Sequence, residues 1–275
     1  MERGLRGTTK MRNADMSVRA KKSLGQNFLM HARTAERIAK AAGLAPDATV
    51  LEIGPGTGML TRELLKLAKK VVAVEADQEL FEKLQAEFAQ EIREGRLELV
   101  HADIRNYQKN TAIADTFGYE VVANIPYYLT GEIFRMFLTA PNQPSTMTLL
   151  VQKEVAERIA RAKKESLFSL SVKAYGEPKY EFTVPRGAFR PAPKVDSAVI
   201  SIRGISRRHF TDRAEEDCFF ELIRAGFAHK RKFVSSNLAG IASEEALRAA
   251  GVSEGARAED VPLTAWLALA RSANA

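Results

Sequence analysis

The sequence predicts an α/β protein: a doubly wound sheet followed by a small all-helical domain. Three observations carry that prediction. Short β-branched runs alternate with amphipathic stretches at about one unit per 20 to 30 residues, the spacing of right-handed parallel crossovers. The first run, Thr49 to Ile53, ends in a glycine turn that opens a helical pattern. Beyond Gly204 the strand pattern stops and helical periodicity takes over.

In chain order, residues 1–22 are polar and basic (Arg3, Arg6, Lys10, Arg12, Arg19, Lys21, Lys22) and lack the apolar centre of a secretory signal, so a flexible tail is expected. Lys22 to Leu29 has turn character and precedes a helix over Ala32 to Ala42, with Ala35, Ile38, Ala39 and Ala42 on one face. After the strand Thr49 to Ile53 and the turn Gly54-Pro55-Gly56-Thr57-Gly58 comes a helix from Met59 to Ala68. Val71 to Val74 is a second strand ending in Glu75, and Leu80, Phe81, Leu84 and Phe88 predict one helix from Gln78 to Arg93. A third strand, Leu97 to Val100, ends near Asp103. Glu120 to Ala123 reads as a buried fourth strand that stops at Asn124-Ile125-Pro126-Tyr127-Tyr128, because Pro126 has no N–H to give a sheet ladder. Further strands are expected at Met147 to Val151, Tyr180 to Val184 and Ala198 to Arg203. The polar stretch Gly204 to Ala214 reads as a linker. Helices then follow over Cys218 to Leu238, Glu244 to Ala250 and Leu263 to Ser272, the last with Trp266 available to the core. The expected division is a tail at 1–22, the sheet domain at 23–204 and a helical domain at 205–275.

The composition narrows the classes of function. Apolar residues make up 45% and charged residues 27%, as in ordinary globular chains. No run approaches the ~18 to 20 apolar residues of a membrane helix, so no membrane association is expected. The 41 Lys and Arg against 34 Asp and Glu leave a formal charge of +7, which suits a polyanionic partner. Cys218 is the one cysteine, and neither a Cys-x-x-Cys nor a His-Glu-x-x-His pattern occurs. A reducing compartment, the cytoplasm, and no structural metal follow.

Three successive strand ends carry candidate nucleoside contacts. The glycine turn allows backbone to approach a ligand, although it lacks the G-x-G-x-x-G spacing of a pyrophosphate site. Glu75, about 20 residues on, is placed to accept from both hydroxyls of a ribose. Asp103 could accept from an adenine amino group, or could merely cap the Ile104 segment. The fourth strand end adds an amide, a proline carbonyl and an aromatic ring. An adenine exocyclic amine is a poor nucleophile that needs orienting acceptors, such as the Asn124 side-chain oxygen and the Pro126 carbonyl, with Tyr127 stacked on the base. The plainer account, in which Asn124 caps a turn and the tyrosines fill core, stays open for that tetrapeptide alone.

Five ordered motifs together are more specific: Gly25-Gln26-Asn27-Phe28-Leu29, Glu52-Ile53-Gly54-Pro55-Gly56, Asn124-Ile125-Pro126-Tyr127-Tyr128, Leu150-Val151-Gln152-Lys153-Glu154-Val155 and Phe189-Arg190-Pro191-Ala192-Pro193-Lys194-Val195-Asp196-Ser197. Over about Lys21 to Ala270 the chain resembles the bacterial small-subunit (16S) rRNA adenine N6,N6-dimethyltransferases, the kasugamycin-sensitivity family. The resemblance implies a Rossmann-like S-adenosylmethionine-dependent methyltransferase domain with a small C-terminal helical domain. It implies that Asn27, Leu29, Gly54, Glu75, Asp103 and Asn124, with Gly56 of the glycine turn, meet the cofactor. It places Asn124, Tyr127 and Phe189 at the target adenine, the two rings clamping a base drawn from its stack. The implied partner is 16S rRNA in the small ribosomal subunit or its precursor, and a monomer is expected. Lys230, Arg231 and Lys232 fall where the family has a basic helix and are candidates for RNA contact, although a solvated helix face also accounts for one basic block. Members of the family usually carry a Tyr-Gly before the Leu-Ser of the segment that here runs Lys164 to Ser171, and this chain lacks it.

Two other readings compete. A resistance-type large-subunit rRNA adenine methyltransferase would share the glycine and Asn-x-Pro-Tyr motifs, but the Phe189 to Ser197 loop and the C-terminal helices favour the first reading. A non-catalytic assembly factor would keep the fold without turnover, and the intact Gly54, Glu75, Asp103, Asn124 and Tyr127 argue against that loss.

Overall fold

The computed structural model of the chain describes residues 20, 21, 24–107 and 118–273. Residues 1–19 and 22 of the expected tail lie outside them. In order, the elements are β1 (Phe28–Leu29), α1 (Ala32–Ala42), β2 (Thr49–Ile53), α2 (Met59–Leu64), β3 (Lys70–Glu75), α3 (Gln78–Glu87), α4 (Ala89–Arg93), β4 (Leu97–His101), α5 (Ile104–Tyr107), β5 (Glu120–Asn124), α6 (Thr130–Leu138), β6 (Thr146–Gln152), α7 (Lys153–Ala160), α8 (Leu167–Lys173), β7 (Glu177–Val184), β8 (Phe189–Arg190), β9 (Ser197–Arg203), α9 (Arg213–Gly226), α10 (Val234–Asn237), α11 (Glu244–Ala249) and α12 (Leu263–Ala273).

Seven strands form one sheet in the order β4-β3-β2-β5-β6-β9-β7. The pairs from β4 through β6 are parallel, whereas β9 runs antiparallel to both β6 and β7. From β2 the chain steps outward to β3 and β4, then returns to lay β5 on the other side of β2. The order therefore reverses between β2 and β5, and a crevice opens at their carboxyl ends, where Gly54 and Asn124 lie. The parallel strands are buried on both faces, as Val50, Leu51, Val71, Ala73, Val121 and Val122 at 0% exposure show. No helix among the described residues is long and apolar enough to cross a membrane.

Two expected helices are broken. The span Gln78 to Arg93 divides at Phe88, whose backbone (φ −102°, ψ 25°) leaves the helix and turns its ring inward. That ring fills the space over Gly58, where an added Cβ would lie 2.6 Å from Phe88 Cε2, and Gly58 also has φ +72°. The span Cys218 to Leu238 divides into α9 and α10. Asn237 Nδ2 donates to the carbonyls of Gly226 and His229, satisfying oxygens that a continued helix would have engaged. The segment 164–171, which departs from the family pattern, builds its own start for α8: Ser166 accepts from the Ser169 N–H, while Ser169 Oγ accepts from the Ser166 N–H.

The stretch read as a linker is packed. Ile205 and Phe210 are buried, and the Phe210 ring meets Tyr175, Phe219 and Phe220. One contiguous apolar core runs from Val121 and Ile200 of the sheet to Phe219, Leu222 and Trp266 of the C-terminal helices.

Candidate active site

The cleft at the β2/β5 switch point brings together Asn27, Leu29, Gly54, Gly56, Glu75, Asp103, Asn124, Pro126 and Tyr127, positions up to 100 residues apart in sequence. Each strand end delivers one group because parallel strands align their carboxyl ends in register, Ile53 beside Val74 and Ala123.

The glycine turn is tied to its neighbour by the Gly54 N–H donating to the Val74 carbonyl at 2.9 Å. Gly56, at φ +60°, lies under the Phe28 ring, which an added Cβ would approach to 3.2 Å. Glu75 is buried, and its two oxygens accept from the Gly56 N–H at 3.0 Å and the Asp77 N–H at 2.9 Å. Burial pushes its carboxyl above the usual range, against the pull of those two N–H groups. Each carboxylate oxygen retains a second lone pair for a diol.

Asp77, which no sequence pattern singled out, holds the cleft's roof. Its carboxylate accepts from Lys21 Nζ at 2.7 Å and from Gln26 Nε2 at 3.1 Å, and it caps α3 at the Glu79 N–H. Burial would raise this carboxyl, but the Lys21 and Gln26 hydrogen bonds outweigh it and hold the group below its ordinary value. Asp103 both caps, accepting from the Arg105 N–H at 2.9 Å, and pairs with the Arg105 guanidinium at 2.5 Å. That pairing keeps its carboxyl ionised below the usual range, so Arg105 must yield an oxygen before an adenine amine can use it.

At β5, Asn124 Nδ2 donates to the Asn27 carbonyl at 3.1 Å. The bond orients the amide so that Oδ1, with no protein partner among the described residues, is the free acceptor. The Pro126 carbonyl already accepts from the Leu129 N–H at 3.0 Å and retains one lone pair. The half-buried Tyr127 is fixed by a 2.5 Å hydrogen bond between its hydroxyl and Ser197 Oγ of β9, and burial raises its phenol. Tyr128 is 60% exposed at the cleft mouth.

Two sets of expected residues fall elsewhere. Phe189 does not line the cleft: it is 4% exposed, pairs with Leu29 through the β1–β8 ribbon and packs with Ala188 and Val199. The expected second face of a base clamp is thus a core residue behind the roof in this conformation, because the ribbon turns its side chain inward. Lys230, Arg231 and Lys232 are exposed on the turn between α9 and α10, and Lys230 lines a separate groove of about 860 Å³ between α6, α8 and α9. Phe28 and Glu52, named only as members of their motifs, and Arg105, not named at all, also line the cleft. The signal for Glu52 was legible, since a carboxylate inside the apolar run Val50 to Ile53 is out of place in a buried strand. Among the described residues, no group of three or more His, Cys, Asp or Glu is placed to hold a metal.

The pattern of the ribosomal RNA adenine dimethylase family matches residues 17–275. A protein named ribosomal RNA small subunit methyltransferase A from Dehalococcoides mccartyi is 39% identical over 257 residues, 91% of this chain and 87% of that protein. One of the same name from Geobacillus thermodenitrificans is 35% identical and covers 97% of this chain and 95% of its own. Among solved structures, the 23S rRNA methyltransferase ErmE superposes with a TM-score of 0.74 at 28% identity, over 90% of this chain and all of that one. A dimethyladenosine transferase from Plasmodium falciparum shares the fold, with a TM-score of 0.72 at 23% identity over 88% and 95% of the two chains. With its cleft at the sheet's switch point and this match over nearly its whole length, the chain belongs to the ribosomal RNA adenine dimethylase family of methyltransferases.

Proposed function

We propose that the protein transfers methyl groups from S-adenosylmethionine to the N6 amines of two adjacent adenosines near the 3′ end of 16S rRNA, late in small-subunit assembly. The observation that carries this reading is Asn124, whose amide is held by the Asn27 carbonyl with its oxygen left free at the switch point. The choice of small over large subunit is supported by the names of the relatives that match most of the chain.

The cleft residues fit the cofactor. Gly54 leaves the floor open and Gly56 fits beneath Phe28, Glu75 would accept from a ribose diol and Asp103 from an adenine amine, and Asn27 and Leu29 form the roof. When bound, S-adenosylmethionine supplies a methyl group already activated by its sulfonium, so the protein's task is alignment rather than acid–base chemistry. Asn124 Oδ1 and the Pro126 carbonyl accept from the target amine and aim its lone pair. Tyr127 stacks on the extruded base, worth roughly 1 to 3 kcal/mol. Its hydrogen bond to Ser197 keeps the ring from rotating away. Phe189 acts from behind the wall, holding Leu29 and hence the roof. The helical segment 205–275 serves as the RNA-contacting part, through Lys230, Arg231 and Lys232.

In Asn124→Ala, methyl transfer to immature small subunits is expected to fall by at least about 100-fold, the scale of losing an orienting hydrogen bond at a reacting centre. Binding of S-adenosylhomocysteine should stay within a few-fold of the parent. Unchanged dimethylation would remove Asn124 from the proposed role, and transfer to purified large subunits instead of small ones would overturn the substrate.

A further inference from the structure

Tyr128 is the most exposed large apolar side chain among the described residues, and it lines the cleft without a use in the scheme above. The backbone explains why it cannot share the task of Tyr127. Both lie in one 3-10 turn, Tyr127 to Leu129, which the Leu129 N–H closes by donating to the Pro126 carbonyl. Three residues per turn set successive side chains about 120° apart, so the two rings diverge. Tyr127 turns inward to Ser197, and Tyr128 turns out to solvent. The pair therefore does not form the two faces of one sandwich, and Phe189 is buried behind the roof.

Tyr128 is nonetheless held in place. Its ring lies against the roof at Gly25, where an added Cβ would sit 2.9 Å from Tyr128 Cε1 and 3.3 Å from Pro126 Cβ. Gly25 also has φ +60°, so both its conformation and the space above it call for glycine. The contact braces the ring against backbone while most of its surface stays open to solvent. A ring that served only as a plug would be covered. Braced at the rim of a cleft and bare on the outside, it has the form of a stacking platform. The exposed Arg105 guanidinium lies within electrostatic reach of it and suits the phosphate between two nucleotides.

The proposed substrate presents two adjacent adenosines. When one is drawn into the cleft, its neighbour loses a stacking partner and remains tethered one phosphate away, at the mouth. We propose that Tyr128 stacks on the base next to the extruded adenosine, taking the place of the partner that base has lost. Tyr127 then serves the reacting base and Tyr128 its neighbour, and the fixed divergence of the two rings selects a strand bent between those nucleotides.

The proposal rests on the adenosine-dimethylation reading, and its test separates the two. Immature small subunits are prepared with guanosine or uridine in place of either one of the paired adenosines, so that one target remains. With the parent protein, transfer to that target should be about 3- to 10-fold faster beside guanosine than beside uridine on one side of it, because the larger purine face stacks better. In Tyr128→Ala, kcat/KM on subunits with both adenosines should fall roughly 5- to 100-fold, chiefly through KM, and the preference for guanosine should disappear. Tyr128→Phe, which keeps the ring, should restore both. Affinity for S-adenosylhomocysteine should stay within a few-fold of the parent in either variant. A guanosine preference that survives in Tyr128→Ala, or that the parent shows on neither side of the target, would overturn the assignment. So would a loss of S-adenosylhomocysteine affinity as large as the loss of transfer, which would make Tyr128 a support of the roof alone. Failure of the parent to methylate any small subunit would instead sink the dimethylation reading.

Discussion

At the scale of single residues, Gly226 shows how little room the C-terminal helices leave. It ends α9 against the indole of Trp266, and an added Cβ would lie 2.3 Å from Trp266 Cη2. Gly226→Ala must push the indole or the helix aside, and overpacking of this kind costs about 1 to 3 kcal/mol. Because Trp266 is the sole tryptophan, its fluorescence in a urea titration reads the loss directly as a lower midpoint. An unshifted midpoint would mean that the indole has space the structure does not show. Residue-scale legibility was uneven. Gly54, Glu75, Asp103 and Asn124 could be placed because each follows a run that reads as a strand. Asp77 could not, because its importance comes from Lys21 and Gln26, which lie more than 50 positions away and meet it only through the fold.

At the scale of elements, periodicity found the strands and missed two interruptions. Apolar residues continue at helical spacing through Phe227, Phe233 and Leu238, so nothing in the pattern marks the break after Gly226. The break depends on the Asn237 side chain reaching back to two carbonyls, an interaction that periodicity does not encode. It lifts His229 to Lys232 off a helix face and onto an exposed turn, where the proposed RNA contact would form. Charges on such a turn can follow a phosphate backbone. Replacing Lys230, Arg231 and Lys232 together with alanine should weaken binding to rRNA and reduce the slope of log affinity against log salt by about 2 to 3, since a phosphate that no side chain neutralises keeps its counterion. A filter-binding series over salt concentration measures this, and an unchanged slope would exclude the turn from the RNA interface.

At the scale of the molecule, the α/β class and the parallel crossovers of the first strands were legible, whereas the order of the strands in the sheet and the antiparallel placement of β9 between β6 and β7 were not. Strand spacing reports that a chain crosses a sheet, not which neighbour it chooses. The joint between the sheet and the C-terminal helices was also hidden, because composition marks Gly204 to Ala214 as polar while the fold uses it as a fastening. Arg207 donates to the Thr139 carbonyl at 2.9 Å and pairs at 3.1 Å with Glu216, which is 2% exposed and also accepts from the Tyr175 hydroxyl. Arg207→Ala would leave a buried carboxylate short of its main partner, a loss of about 1 to 3 kcal/mol. The thermal midpoint followed by Trp266 should fall by several degrees, roughly 2 to 4 °C for each kcal/mol in a chain of this size. A midpoint equal to the parent's would show that the joint does not depend on this pair.

The smallest sheet in the molecule has a consequence out of proportion to its size. Phe28 and Leu29 pair with Arg190 and Phe189, and the Met30 N–H donates to the Ala188 carbonyl, so the roof of the cleft and the loop running on to Ser197 share one seam. Ordering either side of that seam orders the other. Whatever free energy one ligand gains by setting it, the second ligand gains in equal measure, because a coupling between two binding events has no direction. If the proposed cofactor binds under the roof and the proposed RNA against that loop, which of them comes first alters the route to the ternary complex and leaves its final stability the same.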